Sequence, residues 1–267
     1  MKILIRGAGD IATGIALRLY RAGMQVVMTD LPAPTAIRRT VCFSQAIILG
    51  EMTVEDVTAR RAETPDQAEA LLAQGLIPVL ADPDCTCRTR LRPDALVDAI
   101  LAKRNLGTKM DDAPIVVGIG PGFTAGEDCH AVVETMRGHT LGRVIYRGSA
   151  LPNTNIPGLI GGYAGERVLR APAEGIFCQK LEIGAVVRAG DIAGEVAGQP
   201  MRCTIDGVLR GILADGTPVF RGMKAGDVDP RCKPEYCITA SDKALAVGGG
   251  VLEAVLHLHH QHPKTGK

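Results

Sequence analysis

Short apolar runs alternate with a stretch of helical periodicity at the start of the chain. Residues 2–6 and 24–29 are apolar runs of strand length. Residues 11–21, between them, place apolar side chains at about every fourth position, which predicts an amphipathic helix. The order strand, helix, strand predicts a βαβ unit with parallel strands.

The turn between the first strand and the helix has the pattern G-x-G-x-x-A, formed by Gly7, Gly9 and Ala12. Such glycines allow a tight turn and the close approach of a pyrophosphate to the helix N-terminus. Asp30 ends the second strand, where a carboxylate can accept ribose hydroxyls. Asp10 lies at the same helix N-terminus, where it either caps the helix or competes with a phosphate for the amides. The motif predicts a Rossmann-like fold, either with a bound dinucleotide or as a fold alone.

The alternation continues beyond Asp30 and predicts an open α/β sheet. A second glycine-rich loop, with Gly120 and Gly122, follows the last predicted strand. Open α/β sheets bind ligands at the edge where their strands end, so we expect a site at this edge. The further predicted elements are strands over 46–49, 77–81 and 115–117 and helices over 65–73 and 93–104, with Pro93 in the first turn of the last helix.

The second half of the chain contains an internal repeat with a period of 32 residues. Short strands with acidic-glycine turns, present twice, predict an all-β element of two similar halves. The pattern resembles the barrel-sandwich hybrid fold of biotinyl and lipoyl carrier domains. Those carriers present a modifiable lysine between the halves, whereas the hairpin over 197–200 has none, which favours a structural or docking module. The paired glycines are Gly175 and Gly207, Gly184 and Gly216, and Gly190 and Gly222.

Composition and charge narrow the functional classes. The 267 residues are 46% hydrophobic and 22% charged, as in soluble globular proteins. Aromatic residues make up 3% and Trp is absent, which disfavours stacking surfaces for single-stranded nucleic acid. A formal net charge of +1 argues against charge-driven binding to nucleic acid or membranes. Neither a secretory signal nor a transmembrane segment is recognisable, so we expect a cytoplasmic protein with reduced cysteines.

These patterns predict three parts. A Rossmann-like α/β domain covers 1–165, with room for a subdivision near residue 110, and a β-rich domain covers 166–238. Residues 239–267 form a closing helix and a His-rich tail, whose imidazoles would bind adventitious metal. Three consecutive glycines, 248–250, interrupt the helix and predict either close backbone packing or a second helix N-terminus facing a ligand.

Cys85 and Cys87 are the leading candidates for a catalytic role. They follow the predicted strand over 77–81, in a loop where thiols two residues apart can face one ligand. Three nearby arginines, Arg88, Arg90 and Arg92, favour the thiolate, which suits soft partners such as a soft metal, a persulfide or selenium. Two loop cysteines without a chemical role are the alternative, since C-x-C is not the C-x-x-C redox spacing.

Two further groups of polar residues are candidates. Arg38 and Arg39 can hold phosphates beside a nucleotide-type fold, or form a solvated surface pair. Cys129 next to His130 suggests a nucleophile with a base, and His130 and Glu134 share a face if this stretch is helical. A polar helix start without chemistry is favoured for this second group.

Motifs spread over nearly the whole chain resemble one family. They include RGAGDIATG at 6–14, GPGFTAG at 120–126 and DVDPR at 227–231. In these motifs the chain is similar to the YqeB-type accessory proteins of the selenium-dependent molybdenum hydroxylase system, also called selenium-dependent molybdenum cofactor biosynthesis proteins. The N-terminal part also resembles the Rossmann domain of xanthine dehydrogenase accessory factors. The remaining matching segments are 36–39, 96–108, 133–139 and 152–154.

The resemblance implies a role in the maturation of molybdenum hydroxylases that carry labile selenium on their cofactor. It implies a selenium-dependent molybdenum hydroxylase and a nucleotide-type small molecule as partners, but supplies no catalytic residues. The glycine turn would contact the phosphates of a molybdopterin dinucleotide and Asp30 its ribose, while Cys85 and Cys87 would hold or pass selenium. The predicted cofactor-binding residues are Gly7, Gly9, Asp10, Ala12, Asp30, Arg38, Arg39, Gly120 and Gly122.

Two other classes of function stay open. An NAD(P)-dependent oxidoreductase is favoured by the same glycine turn, which would then bind NAD(P). A non-catalytic chaperone would dock cofactor-free hydroxylase through the β-rich domain and need no small ligand. A homo-oligomer is compatible with each class. The sequence contains no nucleophile elbow, H-E-x-x-H or P-loop motif.

Overall fold

A computed structural model describes residues 1–154 and 156–261 and divides them into two compact units. The first unit comprises Met1–Pro34, Cys42–Asn153 and the chain from Ala240 onward, and the second comprises Thr35–Val41 and Thr154–Thr239. The units therefore differ from the predicted domains. The closing helix belongs to the first unit, the boundary after 165 lies earlier, and no division occurs near residue 110 within the described part of the first unit.

The first unit is an α/β fold built on a nine-stranded mixed sheet. Seven strands run parallel, and an antiparallel strand borders them on each side. The strands of the unit are β1 (Lys2–Arg6), β2 (Gln25–Asp30), β3 (Glu51–Val54), β4 (Val57–Ala62), β5 (Ile77–Ala81), β6 (Ala95–Asp98), β7 (Ile115–Ile119), β8 (Thr124–Ala125), β9 (Ala131–Val133), β10 (Val144–Ile145) and β11 (Gly148–Ser149), of which β8 and β11 form a separate pair.

The strand order is β10-β9-β7-β6-β1-β2-β5-β4-β3. From β1 the chain builds one side of the sheet through β2 and β5, and then returns to β6 on the other side of β1. The direction of winding thus changes between β1 and β6, and sheets of this kind bind ligands in the crevice at such a switch point. The helices are α1 (Asp10–Arg21), α2 (Gln45–Leu49), α3 (Pro65–Ala73), α4 (Arg88–Leu91) and α5 (Asp242–Gln261).

Glycines allow α1 and α5 to approach closely. A Cβ atom added to Gly14 would lie 2.5 Å from Cβ of Ala244, and one added to Gly248 would lie 2.8 Å from the carbonyl oxygen of Gly14. A Cβ at Gly250 would collide with the carbonyl oxygen of Gly142. The predicted close backbone packing of this glycine run is confirmed. The predicted second helix N-terminus is wrong, because α5 continues without a break through the three glycines.

Side chains on one face of the sheet pack in the same core as the loop that carries Cys85 and Cys87. Leu4 pairs in register with Val27 and Leu96, and their side chains therefore share a face. All three belong to a buried hydrophobic cluster that also includes Cys85 and Cys87. The sequence thus places the predicted thiols in the core, on the same sheet face as this aliphatic row.

The second unit contains two four-stranded antiparallel sheets that share one hydrophobic core. The order is β12-β19-β17-β14 in one sheet and β16-β15-β13-β18 in the other. Each strand of one sheet has its counterpart in the other about one 32-residue period away, which confirms the predicted repeat. The strands are β12 (Val168–Arg170), β13 (Gly175–Gln179), β14 (Val186–Val187), β15 (Ile192–Val196), β16 (Gln199–Arg202), β17 (Gly207–Ile212), β18 (Pro218–Val219) and β19 (Lys224–Asp229).

The DVDPR motif at 227–231 forms part of an ion-pair network inside the second unit. Asp229 is fully buried and accepts hydrogen bonds from Arg210 (3.0 Å) and from Arg231 (2.6 Å). Asp227 pairs in the same way with Arg167 at 2.9 Å. Burial opposes ionisation of Asp229, but the arginine hydrogen bonds outweigh it and hold its pKa well below its usual range. The motif therefore stabilises this unit.

Three local predictions from the sequence are wrong. The predicted helix over 93–104 is replaced by β6, because residues 95–97 are buried between β1 and β7 and strand pairing overrides the helical pattern. The predicted strand over 46–49 is α2, which buries Ala46 and exposes Leu49. Residues 130–134 are not helical but include β9.

Candidate functional site

Four polar segments lie at one edge of the sheet, called here the carboxyl edge. They lie at the carboxyl ends of the neighbouring strands β1, β2, β5 and β6. The glycine turn follows β1, and Asp30 ends β2. The loop with Cys85 and Cys87 follows β5, and Asp98 ends β6. Because these strands are parallel neighbours, all four segments lie at the predicted ligand-binding edge.

The two glycines of the turn have different roles. Gly7 has φ +105°, and a Cβ atom there would lie 2.8 Å from the carbonyl oxygen of Ala99, so packing against the loop after β6 requires glycine. Gly9 precedes α1 in an extended conformation, and a Cβ atom there would meet nothing within 4 Å. Open space therefore lies at the start of α1, where the first amides of a helix have no partner in the helix.

Asp10 and Ala12 lie in the first turn of α1. Asp10 is the first residue of the helix, where its charge is favourable next to the helix dipole. Ala12 is 1% exposed, so this position of the motif packs the helix against its surroundings rather than facing a ligand. The structure thus leaves Gly9, not Ala12, beside the open space.

Asp30 fixes the glycine turn to β2. One carboxylate oxygen accepts the amide of Ala8 at 2.7 Å, and the other accepts the amide of Leu31 at 2.7 Å. Burial raises the pKa of Asp30, while these two amides act in the opposite direction. Each oxygen retains a further lone pair, so the carboxylate can still accept a hydroxyl hydrogen bond.

Asp82 shapes the loop that carries the two cysteines. Its carboxylate accepts the amide of Cys87 at 2.8 Å and the hydroxyl of Thr86 at 3.0 Å. Burial opposes its ionisation, but these hydrogen bonds hold the pKa of Asp82 below its usual range. Cys85 is 2% exposed and Cys87 is 4% exposed, and Cys85 has φ +55°, which is unfavourable for any residue other than glycine.

The two thiols interact, and the interaction shifts their pKa values in opposite directions. The Cys87 thiol stabilises the Cys85 thiolate and lowers the pKa of Cys85 against the effect of burial, and the charge of Arg6 acts in the same direction. The pKa of Cys87 is raised by Cys85, by burial and by Asp82. Cys85 is therefore the thiol that ionises first, while the proton remains on Cys87.

Arg6 connects the cysteine loop with the end of β6. Its Nε donates to the carbonyl oxygen of Pro83 at 3.1 Å, and its Nη1 donates to Thr108 at 3.0 Å and to Asp98 at 3.4 Å. The Thr108 hydroxyl in turn donates to Asp98 at 2.6 Å. Sequence reasoning missed this network because Asp98 fell inside a predicted helix. The signal that could have found it is that Arg6 and Asp98 are charged residues, each at the end of an apolar strand.

The second glycine-rich loop is explained by packing. Gly120 and Gly122 both have positive φ angles. A Cβ atom at Gly120 would lie 2.6 Å from the hydroxyl of Thr135, and one at Gly122 would lie 2.6 Å from the amide nitrogen of Arg104. Close packing therefore explains why both positions are glycine, and their predicted contact with a cofactor stays a prediction.

Arg38 and Arg39 are also engaged by the protein itself, within the second unit. Arg38 is 4% exposed and donates to the carbonyl oxygen of Tyr236 at 2.9 Å. Arg39 donates to the carbonyl oxygen of Ile212 at 3.0 Å and to the side chain of Gln179 at 2.8 Å. Both guanidinium groups thus have partners within the protein, and their predicted binding of phosphate stays a prediction.

Cys129, His130 and Glu134 do not form a catalytic group. Cys129 is fully buried, which raises its pKa to about 11. His130 accepts the amide of Val116 through Nδ1 at 3.0 Å, as part of the backbone pairing there. The buried Glu134 carboxylate accepts three backbone amides, two from the residues that follow it and one from Leu151 at 2.8 Å. All three positions therefore stabilise the fold.

The described residues contain neither a cluster of metal ligands nor a membrane-spanning helix. No group of three or more His, Cys, Asp or Glu side chains in 1–154 and 156–261 is arranged to hold a metal ion. The predicted His-rich tail includes His262, which lies outside the described residues. In the described part of the chain, no helix combines the length and the apolar character needed to cross a membrane.

Comparisons with known proteins give one strong similarity. No protein-family model matches the chain. A curated protein of Escherichia coli K12, named "Uncharacterized protein YqeB", is 51% identical over 265 residues, which cover 99% of this chain and 49% of that protein. The chain thus spans about half the length of the curated relative it matches.

Similarities to solved structures are weak. The ectoine utilization protein EutE (DoeB) from Ruegeria pomeroyi has a TM-score of 0.23 at 20% identity, over 32% of this chain and 28% of that one. An aspartoacylase family protein from Mesorhizobium loti has a TM-score of 0.24 at 13% identity, over 55% and 60%. Scores at this level carry no argument. The 51% identity over 99% of this chain, in contrast, shows that the chain is similar to about half the length of the Escherichia coli protein.

Proposed function

We propose that the protein is an accessory factor in the maturation of selenium-dependent molybdenum hydroxylases. In this proposal it binds a dinucleotide-type molybdenum cofactor at the carboxyl edge and assists the insertion of selenium or sulfur. The observation that carries the proposal is the thiol pair, in which Cys87 favours ionisation of Cys85 at the same sheet edge as the glycine turn.

The carboxyl edge has features that suit a dinucleotide. Open space at Gly9 and the first amides of α1 fit a pyrophosphate group. Asp30 retains acceptor capacity for a sugar hydroxyl, as described above. The bound cofactor would supply the molybdenum atom that receives the selenium or sulfur.

The thiol pair suits the transfer of a selenium or sulfur atom. The Cys85 thiolate attacks the terminal selenium of a selenopersulfide donor, R–S–SeH; a Cys85 S–Se bond forms, the donor S–Se bond breaks, and the donor leaves as a thiolate. The Cys87 thiol then attacks the Cys85 sulfur, which forms a Cys85–Cys87 disulfide and releases hydrogen selenide. Selenium is reduced and the two thiols are oxidised, so the electrons balance.

Burial sets a condition on this chemistry. Because neither thiol is more than 4% exposed, a donor reaches them only when the loop over 82–87 moves. The hydrogen bond from Arg6 to Pro83 opposes movement of the loop as a whole, and those from Cys87 and Thr86 to Asp82 oppose a change of conformation within it.

The second unit is assigned a docking role in this proposal. Its repeat supports the resemblance to a barrel-sandwich hybrid, and the hairpin between β15 and β16, at 197–198, carries no lysine for a swinging arm. It would therefore present a surface to the cofactor-free hydroxylase rather than a covalent carrier group.

The test of the transfer step replaces both thiols. A host that makes a selenium-dependent hydroxylase is given this protein with Cys85→Ser and Cys87→Ser, and the selenium content of the purified hydroxylase is measured. We expect it to fall strongly, whereas Cys178→Ser, which removes an exposed thiol of the second unit, leaves it unchanged. Unchanged selenium content in the double variant would remove the thiol pair from the mechanism.

The test of ligand binding uses Gly9→Val. Its backbone conformation suits an L-residue and its Cβ meets no protein atom, so the variant folds while filling the space before α1. Native mass spectrometry is expected to show a pterin-dinucleotide adduct on the unmodified protein and none on the variant. An NAD-sized adduct would support the oxidoreductase instead, and a ligand-free protein in a stable complex with apo-hydroxylase would support the docking chaperone.

A further inference from the structure

A cavity lies at the edge of the first unit's sheet opposite to the carboxyl edge. It has a volume of about 950 Å³, and its lining includes Asp94 and Pro114. These residues immediately precede β6 and β7, which are parallel neighbours, so the cavity is at the amino edge of the sheet. It is separate from the carboxyl edge, and no sequence motif predicted it.

Part of the charge in the cavity is neutralised by the protein. Arg88 donates to Asp112 at 3.0 Å and to the carbonyl oxygen of Cys85 at 3.0 Å. The other oxygen of Asp112 accepts the amide of Lys109 at 2.8 Å. Asp94 accepts the amide of Lys2 at 2.9 Å. These groups form a fixed polar wall.

Two cations of the lining remain available. Arg92 and Lys109 are exposed, and neither forms an ion pair with any residue in 1–154 or 156–261. Arg92 is the C-cap residue that follows α4, with φ +47°. Its amide donates to the carbonyl oxygen of Arg88 at 2.9 Å, so its backbone is anchored while its guanidinium is not. The exposed Asp111 also lines the cavity and can accept hydroxyl hydrogen bonds.

We propose that this cavity binds a phosphorylated, hydroxyl-bearing small molecule of nucleotide size. Two cations without an ion-pair partner suit the negative charge of a phosphate group, and a guanidinium binds phosphate oxygens in a bidentate manner. The volume is at the upper end for small-molecule sites, so the phosphate belongs to a larger molecule. The Asp111 carboxylate can accept hydrogen bonds from hydroxyl groups of that molecule, which is why we propose a hydroxyl-bearing ligand.

Calorimetric titration tests the proposal on the full chain. The probes are the four common 5′-nucleoside monophosphates, each compared with its parent nucleoside. We expect at least one nucleotide to bind saturably and its nucleoside not to bind. Arg92→Ala with Lys109→Ala should weaken that binding at least about tenfold, because two charge-assisted contacts are lost.

Matched controls separate this site from the carboxyl edge. Arg90→Ala, on the same helix but paired with Asp66 at 2.8 Å and outside the cavity, should leave nucleotide binding unchanged. Gly9→Val reports on the carboxyl edge instead. Nucleotide binding that is lost in Gly9→Val and kept in the double variant would belong to that edge and overturn this inference, so failure of this proposal is distinguishable from failure of the proposed function. Absence of saturable binding by all four nucleotides, or equal binding by the double variant, would overturn the inference.

Discussion

At the scale of single residues, the chemistry of Cys85 depends on a neighbour two positions away. The Cys87 thiol lowers the pKa of the Cys85 thiol, although burial alone would raise it. A group whose pKa is lower in the folded than in the unfolded state adds stability above its unfolded pKa. That contribution is lost as the pH falls through the folded pKa.

Replacing the neighbour should reverse this shift. In Cys87→Ala the hydrogen bond to the Cys85 thiolate is absent and burial remains, so we expect the pKa of Cys85 to rise. The pH dependence of the ultraviolet thiolate absorbance measures it, after subtraction of the same titration on Cys85→Ser. An unmoved Cys85 titration would show that Arg6 and the loop, not Cys87, set its pKa.

At the scale of elements, three consecutive glycines of α5 make a matched experiment possible. A Cβ at Gly248 would lie 2.8 Å from the carbonyl oxygen of Gly14, so Gly248→Ala should destabilise the protein by about 1–3 kcal/mol through overpacking against α1. A Cβ at Gly249 meets nothing within 4 Å, so Gly249→Ala should add up to about 1 kcal/mol of helix propensity. Urea denaturation of both variants measures the two changes, and equal effects would contradict the close contact of α1 and α5.

The same scale shows which elements the sequence can predict. The strand–turn–helix–strand order of β1, α1 and β2 follows from local signals, namely two apolar runs, a glycine turn and one amphipathic face. The strand β6 does not follow from such local signals. Pro93 and the apolar residues after it satisfy a helix pattern, and only pairing with β1 and β7 decides for a strand. Long-range pairing of this kind leaves no local signal.

The candidate site also contains features that local sequence signals predict and features that depend on long-range pairing. The sequence could predict the carboxyl edge, Asp30 and the cysteine loop, because each follows an apolar run that does form a strand. It could not predict that Arg6 joins Asp98 and Thr108, since this contact depends on the register between β1 and β6. The cavity with Arg92 and Lys109 was hidden for a related reason: its walls come from separate segments brought together by the neighbouring strands β6 and β7.

At the scale of the whole molecule, one segment belongs to a different unit from the residues that flank it in the sequence. Thr35–Val41 lies in the sequence between two parts of the first unit, yet it belongs to the second. The carbonyl oxygen of Ile37 accepts the amide of Ile212 in β17 at 2.8 Å, and Arg39 donates to the carbonyl oxygen of the same Ile212 at 3.0 Å. The segment therefore completes the hydrogen bonding of the second unit.

Because the segment belongs to the second unit, we expect a substitution at residue 39 to destabilise the second unit and not the first. Arg39→Ala loses the hydrogen bonds to Ile212 and Gln179, so we expect the opening free energy of the Ile212 amide to fall by about 1–3 kcal/mol. Native-state hydrogen exchange measures it, and amides of α1 should keep their protection. Arg60→Ala, which removes an exposed arginine paired with Glu51 in the first unit, is the control that leaves Ile212 unchanged. If Arg39→Ala instead exposed α1 and spared Ile212, the segment would be part of the first unit, as its position in the sequence alone suggests.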